Sequence, residues 1–369
     1  MISNPGRLAV ATGVFILATG GLFGWNENSS WSDLIPALAG ATLLALSIPG
    51  QASRLSRASL IPLFCMMAMA VLTWDSPREC ISWLLVTVSF AAGLHSRHDD
   101  LVRRTVLGAC FLLLLLACYQ RWILFPWLAP QLEGEARGRL LSGRTFSSFM
   151  LPAQFSAYLA LVLPLAVAVA LTDRHRRAHK IMAILIPAGF VLAGSLSGVV
   201  AALAALVVLQ AGSRRFTRIH LLMLIALLGV LAFRFDALIL SSSSYSMRWN
   251  TWHATLLGST ESLWTGHGSG SFEQIFMTRY WMEGSDEVRH PHSWPLKILF
   301  EQGLAGLFLW IVAVAPLFAR LRDRSFRAAA FAFVIACLLD VADLSLTLRS
   351  LAFFLLGSSL SPDPESKSP

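Results

Sequence analysis

What most constrains this chain is a series of apolar stretches, each near the width of a lipid bilayer, divided by short clusters of arginine. A spanning helix needs about 20 predominantly apolar residues, and about 17 at the short end. Twelve stretches come near that length: roughly 8–25, 33–49, 59–74, 80–94, 105–120, 149–171, 181–196, 198–212, 219–235, 296–318, 327–343 and 345–360. The fourth and the last are short. The seventh and eighth would read as one long helix but for Gly194, Ser195, Ser197 and Gly198, which predict a tight turn. Charged residues make up only 14% of the chain, against about a quarter in soluble domains. The expected fold is all-α: a polytopic integral membrane protein of about 12 transmembrane helices, with a large outside loop containing short helices.

The arginine clusters set the orientation. The net charge is +8, which raises nucleic-acid binding as an alternative. That alternative fails because the basic residues form no single face. They fall between apolar stretches: Arg54 and Arg57; Arg97, Arg103 and Arg104; Arg174, Arg176, Arg177 and Lys180; Arg214, Arg215 and Arg218; Arg320, Arg322, Arg324 and Arg327. The short connections in between are poor in them: 26–32 has none and 75–79 has only Arg78. The positive-inside rule then puts both termini in the cytoplasm and the long connections 121–148 and 236–295 outside. Cys65, Cys80, Cys110, Cys118 and Cys337 sit in or beside apolar stretches without metal-type spacing, so neither a disulfide framework nor a zinc site is expected. No small-x-small cleavage site follows the first stretch, which reads as a retained helix. Residues 1–358 form one polytopic domain without internal repeats. The Ser/Pro-rich tail, 359–369, is expected to be disordered.

The two outside connections carry the functional information. The first holds Trp122, Trp127, Arg121, Arg137, Arg139 and Arg144. In the second, Met247, Trp249, Trp252, Leu256 and Leu257 recur with a rough helical period. They predict an amphipathic helix on the membrane surface, with its tryptophans at headgroup level. A flexible turn, Gly266-His-Gly268-Ser-Gly270-Ser-Phe272, is expected next. Its glycine spacing, its outside location and the lack of a preceding strand exclude a dinucleotide fingerprint.

A site at the outer membrane boundary, lined by arginines and apolar walls, suits a lipid carrying phosphate or diphosphate. Arginine binds phosphate oxygens with a planar fork and keeps its charge. The outside arginines are Arg121, Arg144, Arg234, Arg248, Arg279, Arg289 and Arg349. The competing explanation is snorkelling, or ion pairs with Glu133, Glu135, Glu283, Asp286 or Glu287. Arg248, flanked by aromatic residues, ranks first. His292 is the default general base. It precedes a helix that Ser293 would cap and Pro295 would open, whose N-terminus would face an anion. Glu301 lies nine residues on and is not stacked on His292. It either orients a partner or pairs with Lys297 at i−4. Asp340, Asp343 and Arg349 form a further ionisable group that either locks helices or lines the site.

At these residues a family resemblance appears. His292-Ser-Trp-Pro-Leu-Lys-Ile-Leu-Phe-Glu301-Gln-Gly303-Leu-Ala-Gly306 resembles the histidine block of the O-antigen ligase and O-antigen polymerase superfamily, polytopic bacterial membrane glycosyltransferases. Arg248-Trp249, followed by the glycine-rich turn to Phe272, is similar to the family's arginine and Gly-x-Gly turn. Ser142-Gly-Arg-Thr-Phe-Ser-Ser148, Ala157-Tyr-Leu159 and Leu163-Pro164-Leu165 resemble its Gly-Thr-Phe and Leu-Pro-Leu region. Asp343-Leu-Ser-Leu346 to Gly357 looks like its final helix pair. Together these cover roughly 140–358.

The resemblance implies glycosyl transfer on the periplasmic face of the bacterial inner membrane. The donor would be a glycan on undecaprenyl diphosphate. The acceptor would be the lipid A core for a ligase, or another lipid-linked repeat for a polymerase. No nucleotide sugar, metal or other cofactor is required, and one displacement inverts the anomeric centre. On this analogy Arg248 would bind the diphosphate and His292 would activate the acceptor hydroxyl. From the residues themselves, Glu301 joins them as a catalytic candidate, and Arg144, Arg121, Arg279 and Arg289 are candidates for substrate binding. Two departures stand out. Ser293 replaces the usual asparagine after the histidine. Ser195-Leu-Ser-Gly198 lacks the arginine that the family often carries there. Arg144 or Arg121 stands in for it, or the donor differs, or the chain is inactive. A transporter or flippase, or a non-catalytic component of an exopolysaccharide system, are the alternatives from other classes. A transporter would show paired repeats and broken helices near the midplane.

Overall fold

A computed structural model of the protein describes residues 5–19, 34–46, 57–96, 99–172, 177–210, 218–233, 242–280, 288–315 and 323–360. Arg234, Glu283, Asp286 and Glu287 lie outside the described residues, as do Arg54, Arg97, Arg174, Arg176, Arg214, Arg215, Arg320 and Arg322. Among the described residues the fold is helical and contains no strand.

A helix falls on each expected apolar stretch. The chain opens with α1 (Pro5–Thr19), α2 (Leu34–Leu46), α3 (Arg57–Leu72), α4 (Pro77–His95) and α5 (Asp99–Tyr119). α5 runs on through a π turn, Gln120–Leu124, to Gln131. Then come the short α6 (Gly134–Leu141), followed by α7 (Pro152–Thr172), α8 (Arg177–Ala193), α9 (Leu196–Gln210) and α10 (Arg218–Phe233). Among the described residues of the long connection two helices follow, α11 (Ser242–Glu261) and α12 (Phe272–Arg279). The chain closes with α13 (Trp294–Val314), α14 (Arg324–Leu339) and α15 (Leu346–Leu360). Three segments among the described residues are long and apolar enough to cross a membrane: Asp99–Gln131, Pro152–Leu171 and Trp294–Val314. Seven further apolar helices are shorter. The expected turn lies between α8 and α9, where Gly194 takes φ 59°, a value glycine adopts without a Cβ penalty.

Small residues let the helices approach closely, the main route to tight packing where water does not drive association. α4 crosses α15 at Gly93 and Gly357; a Cβ on either would overlap the other helix's backbone. Gly198 at the start of α9 sits against Ser156 of α7 in the same way. α7 is buried along almost its whole length. Side-chain bonds show which helix ends share a side. At one end Asp323 caps α14, accepting from Ser325 N at 2.8 Å and Phe326 N at 3.2 Å, and pairs with Arg103 of α5. At the other end, the starts of α4, α9, α13 and α15 and the end of α14 are joined by the polar contacts described below.

Two expectations change. The tail does not begin at residue 359: α15 continues to Leu360 with Ser358 and Ser359 buried. Their hydroxyls donate to Phe354 O at 3.0 Å and Leu356 O at 2.6 Å, back-bonds that let serine sit inside a helix. Residues 361–369 lie outside the described residues. The long connection also holds more than short helices, because α11 has 20 residues. Its small and polar residues Thr251, Thr255, Gly258 and Ser259 face the protein, while Trp249, Leu256 and Leu257 are exposed.

Candidate active site

Asp340 is where the site assembles. It follows the last residue of α14 in extended backbone. One carboxylate oxygen, Oδ2, accepts from Arg248 Nη2 at 3.1 Å and from Ser197 Oγ at 3.1 Å. The other, Oδ1, pairs with His292 Nδ1 at 3.2 Å and accepts from Val341 N at 3.0 Å. Arg248 also donates from Nη1 to Leu339 O at 3.1 Å. Ser197 Oγ and Ser195 Oγ share a hydrogen bond of 2.9 Å, and Ser156 Oγ donates to Ser195 O at 3.1 Å. Four elements thus converge: α11, the turn before α9, the end of α14 and the loop before α13.

His292 is held in an uncommon conformation. Its φ is 50°, the left-handed region that costs a non-glycine residue about 1–3 kcal/mol. Trp252 of α11 fixes the preceding residue by donating from Nε1 to Pro291 O at 2.7 Å. The imidazole is partly exposed and lines a cleft with His290, Pro291, Ser293, Lys297, Val341, Asp343 and Leu344. Asp340 engages one ring nitrogen, an arrangement that fixes tautomer and ring orientation. Ser293 takes the N-cap position of α13, but its hydroxyl makes no cap hydrogen bond.

A second, largely buried polar group adjoins this cleft, with Lys297 and Asp343 on its lining. Lys297 Nζ donates to Glu79 Oε1 at 2.7 Å and lies 3.9 Å from Glu301 Oε2. Arg349 approaches Glu79 Oε2 at 3.4 Å and Asp343 Oδ2 at 3.9 Å, and donates to Asp343 O at 2.6 Å. It also donates to Ser82 and stacks 4.8 Å over the Trp294 ring. The ionisable group expected at Asp340, Asp343 and Arg349 is therefore split: Asp340 turns to Arg248 and His292, whereas Asp343 turns to Arg349.

Glu301 does not meet His292. Its Oε1 accepts from Phe272 N at 3.3 Å, tying the glycine-rich turn to α13. That turn is docked rather than flexible. α13 breaks at Gly303, with φ 65° and ψ −163°, a conformation essentially restricted to glycine. The break frees backbone groups that a membrane helix must satisfy elsewhere. The turn supplies the partners: His267 N donates to Phe300 O at 3.0 Å and Gly268 N to Glu301 O at 2.9 Å. In return, Leu304 N donates to Leu263 O at 2.8 Å.

The remaining arginines are spread around the site. Arg144 donates from Nε to Ala193 O at 3.4 Å, beside the turn that carries Ser195. The Arg121 guanidinium lies over Gly143, where a Cβ would collide with it. Arg279 pairs with Glu261 at 3.1 Å and Arg289 with Glu273 at 3.7 Å, all four side chains well exposed. Among the described residues no three His, Cys, Asp or Glu side chains gather as a metal site.

Glu79 was not among the residues singled out as site candidates, and Asp340 was left between locking helices and lining the site. Asp340 carried a signal, being an acid at the end of an apolar stretch. Glu79, at the start of one, carried the same signal and went unread. No curated protein matches the chain. Residues 146–311 match the family model described as O-Antigen ligase. The match spans Arg248, the glycine-rich turn, His292 and Glu301, and stops short of Asp340. Over these residues, a little under half of the chain, the protein is similar to the O-antigen ligase family.

Proposed function

We propose that this protein is a periplasm-facing glycosyltransferase that moves a glycan from a polyprenyl-diphosphate carrier onto an acceptor hydroxyl. The family supports an O-antigen ligase-like role in surface polysaccharide. The observation that carries the finer reading is the shared carboxylate of Asp340, which brings the His292 base and the Arg248 cation into one partly exposed site. His292 takes the proton of the acceptor hydroxyl as that oxygen attacks the anomeric carbon. Asp340 orients the imidazole and stabilises the imidazolium as it forms, as a carboxylate does in a catalytic triad. The bond to the diphosphate breaks on the opposite face, so the anomeric centre inverts. Arg248 stabilises charge on the departing diphosphate, with its planar fork suited to phosphate oxygens.

Arg144 and Arg121 lie near the turn where the family often carries an arginine, and we assign them the donor's outer phosphate. Arg279 and Arg289, exposed on the loop, are assigned to the glycan. Glu301 acts on the site through the glycine-rich turn and is a positioning residue in this reading. The basic clusters of the sequence support an orientation with the Asp340 end outside the cytoplasm. That orientation lets a lipid-linked donor reach the cleft from the outer leaflet. Exposed Trp249, Leu256 and Leu257 on α11 suit an interfacial helix beside it.

The test is glycan profiling of cells lacking the gene, complemented with wild type, His292→Ala or Arg248→Ala at matched membrane levels. Loss of long glycan with accumulation of lipid-linked intermediates, rescued by wild type alone, is the expected result. Single accumulated repeats then mean a polymerase, and full chains on the carrier mean a ligase. Full rescue by both variants overturns the assignment in favour of transport or assembly.

A further inference from the structure

Arg78 is the lone basic residue in the short outside connections. It opens α4 beside Glu79, whose carboxylate binds Lys297 at the cleft. The Arg78 Nε is buried and has no hydrogen-bond partner among the described residues. The Nδ1 of His290, which lines the same cleft as His292, is likewise buried without a partner. The two are close enough for the charge of Arg78 to act on the imidazole. Burial foremost, then the charges of Lys297, His292 and Arg78, hold His290 at about 3, so the ring is neutral and keeps one N–H to donate.

Charge balance points the same way. Arg248 is bound to Asp340, Lys297 to Glu79, and Arg349 to Glu79 and Asp343. These cations are largely compensated where they stand. A diphosphate is a polyanion; Arg248 is shared with a carboxylate, and Arg144 and Arg121, assigned above to the outer phosphate, approach by the turn before α9 and leave the α4 side of the cleft to Arg78. Arg78 feels Glu79 electrostatically but makes no hydrogen-bonded ion pair among the described residues. Its fork remains available for phosphate oxygens.

We propose that Arg78 and His290 form a second phosphate-binding subsite on the α4 side of the cleft, which takes a phosphoryl group of the lipid diphosphate. It supplies from α4 a charge that the Ser195–Gly198 turn lacks. The proposal rests on the diphosphate-donor reading above and extends it to Arg78, outside the matched region.

The experiment uses the full-length protein in lipid nanodiscs. Binding of farnesyl diphosphate and of inorganic diphosphate is titrated for wild type, Arg78→Gln, Arg78→Lys and Arg248→Gln, with melting temperatures recorded for each. Loss of a charge-assisted hydrogen bond weakens binding by about tenfold or more, so Arg78→Gln is expected to lose that much affinity at an unchanged melting temperature. Arg78→Lys, which keeps the charge without the fork, is expected to fall between and guards against misfolding of the glutamine variant. Weakening toward both ligands shows recognition of the phosphate itself. Weakening toward the farnesyl compound alone shows that the subsite needs the lipid-linked form. Unchanged affinity in both Arg78 variants, alongside weakened binding by Arg248→Gln, overturns the subsite and leaves the donor reading standing. No binding of either ligand by wild type overturns both.

Discussion

Two polar clusters lie at the same end of this helical bundle, and they differ in how much bonding capacity they keep. Around Glu79, Lys297, Arg349 and Asp343 no side chain is more than 12% exposed, and each charge is engaged with a partner from another element. Around Asp340 the carboxylate is buried, but its partners Arg248 and His292 keep roughly 29% and 28% of their side-chain surface exposed. A buried network with its valences filled holds helices in register. A buried anchor with partly exposed partners holds two reactive groups in place while leaving them open to a ligand. The contrast separates scaffold from site among residues of the same chemical types.

The comparison can be broken most severely at His292. Losing a positioned general base costs about 100- to 10,000-fold in rate, so His292→Ala should abolish measurable transfer. Its melting temperature should stay near wild type, because the ring is partly exposed. The converse is expected at Arg349. Removing one partner from a buried ion pair costs about 3–5 kcal/mol, so Arg349→Ala should be seen first as a lowered melting temperature and poor recovery from membranes. An Arg349→Ala protein that melts like wild type would erase the distinction between the clusters. At Gly303 the expected cost is about 1–3 kcal/mol. A Cβ there would overlap Trp264, so Gly303→Ala should loosen the glycine-rich turn, read as faster proteolytic nicking near residues 266–272.

Much of this was legible in the residues. Apolar length located the helices, and Gly194 to Gly198 located the turn between α8 and α9. The i−4 spacing of Lys297 and Glu301 anticipated their contact. What stayed hidden needed contacts across the chain. Asp340 meets His292 across 48 positions and Arg248 across 92, and Glu79 meets Lys297 across 218. No local period encodes such pairs, because they follow from how spanning helices pack side by side. The role of Glu301 was hidden for a related reason. Its task depends on the break at Gly303, and that break matters only once the turn at 263–268 is laid against it.

The central claim is that Asp340 and His292 work as one unit in transfer. Its most direct test is a double-mutant comparison with purified protein, a lipid-linked donor and an acceptor, measuring kcat/KM for His292→Ala, Asp340→Asn and the pair. Groups that act together give strongly non-additive losses. The double variant should therefore be about as slow as His292→Ala alone. Losses that multiply would show that the two residues act independently, and would contradict the account.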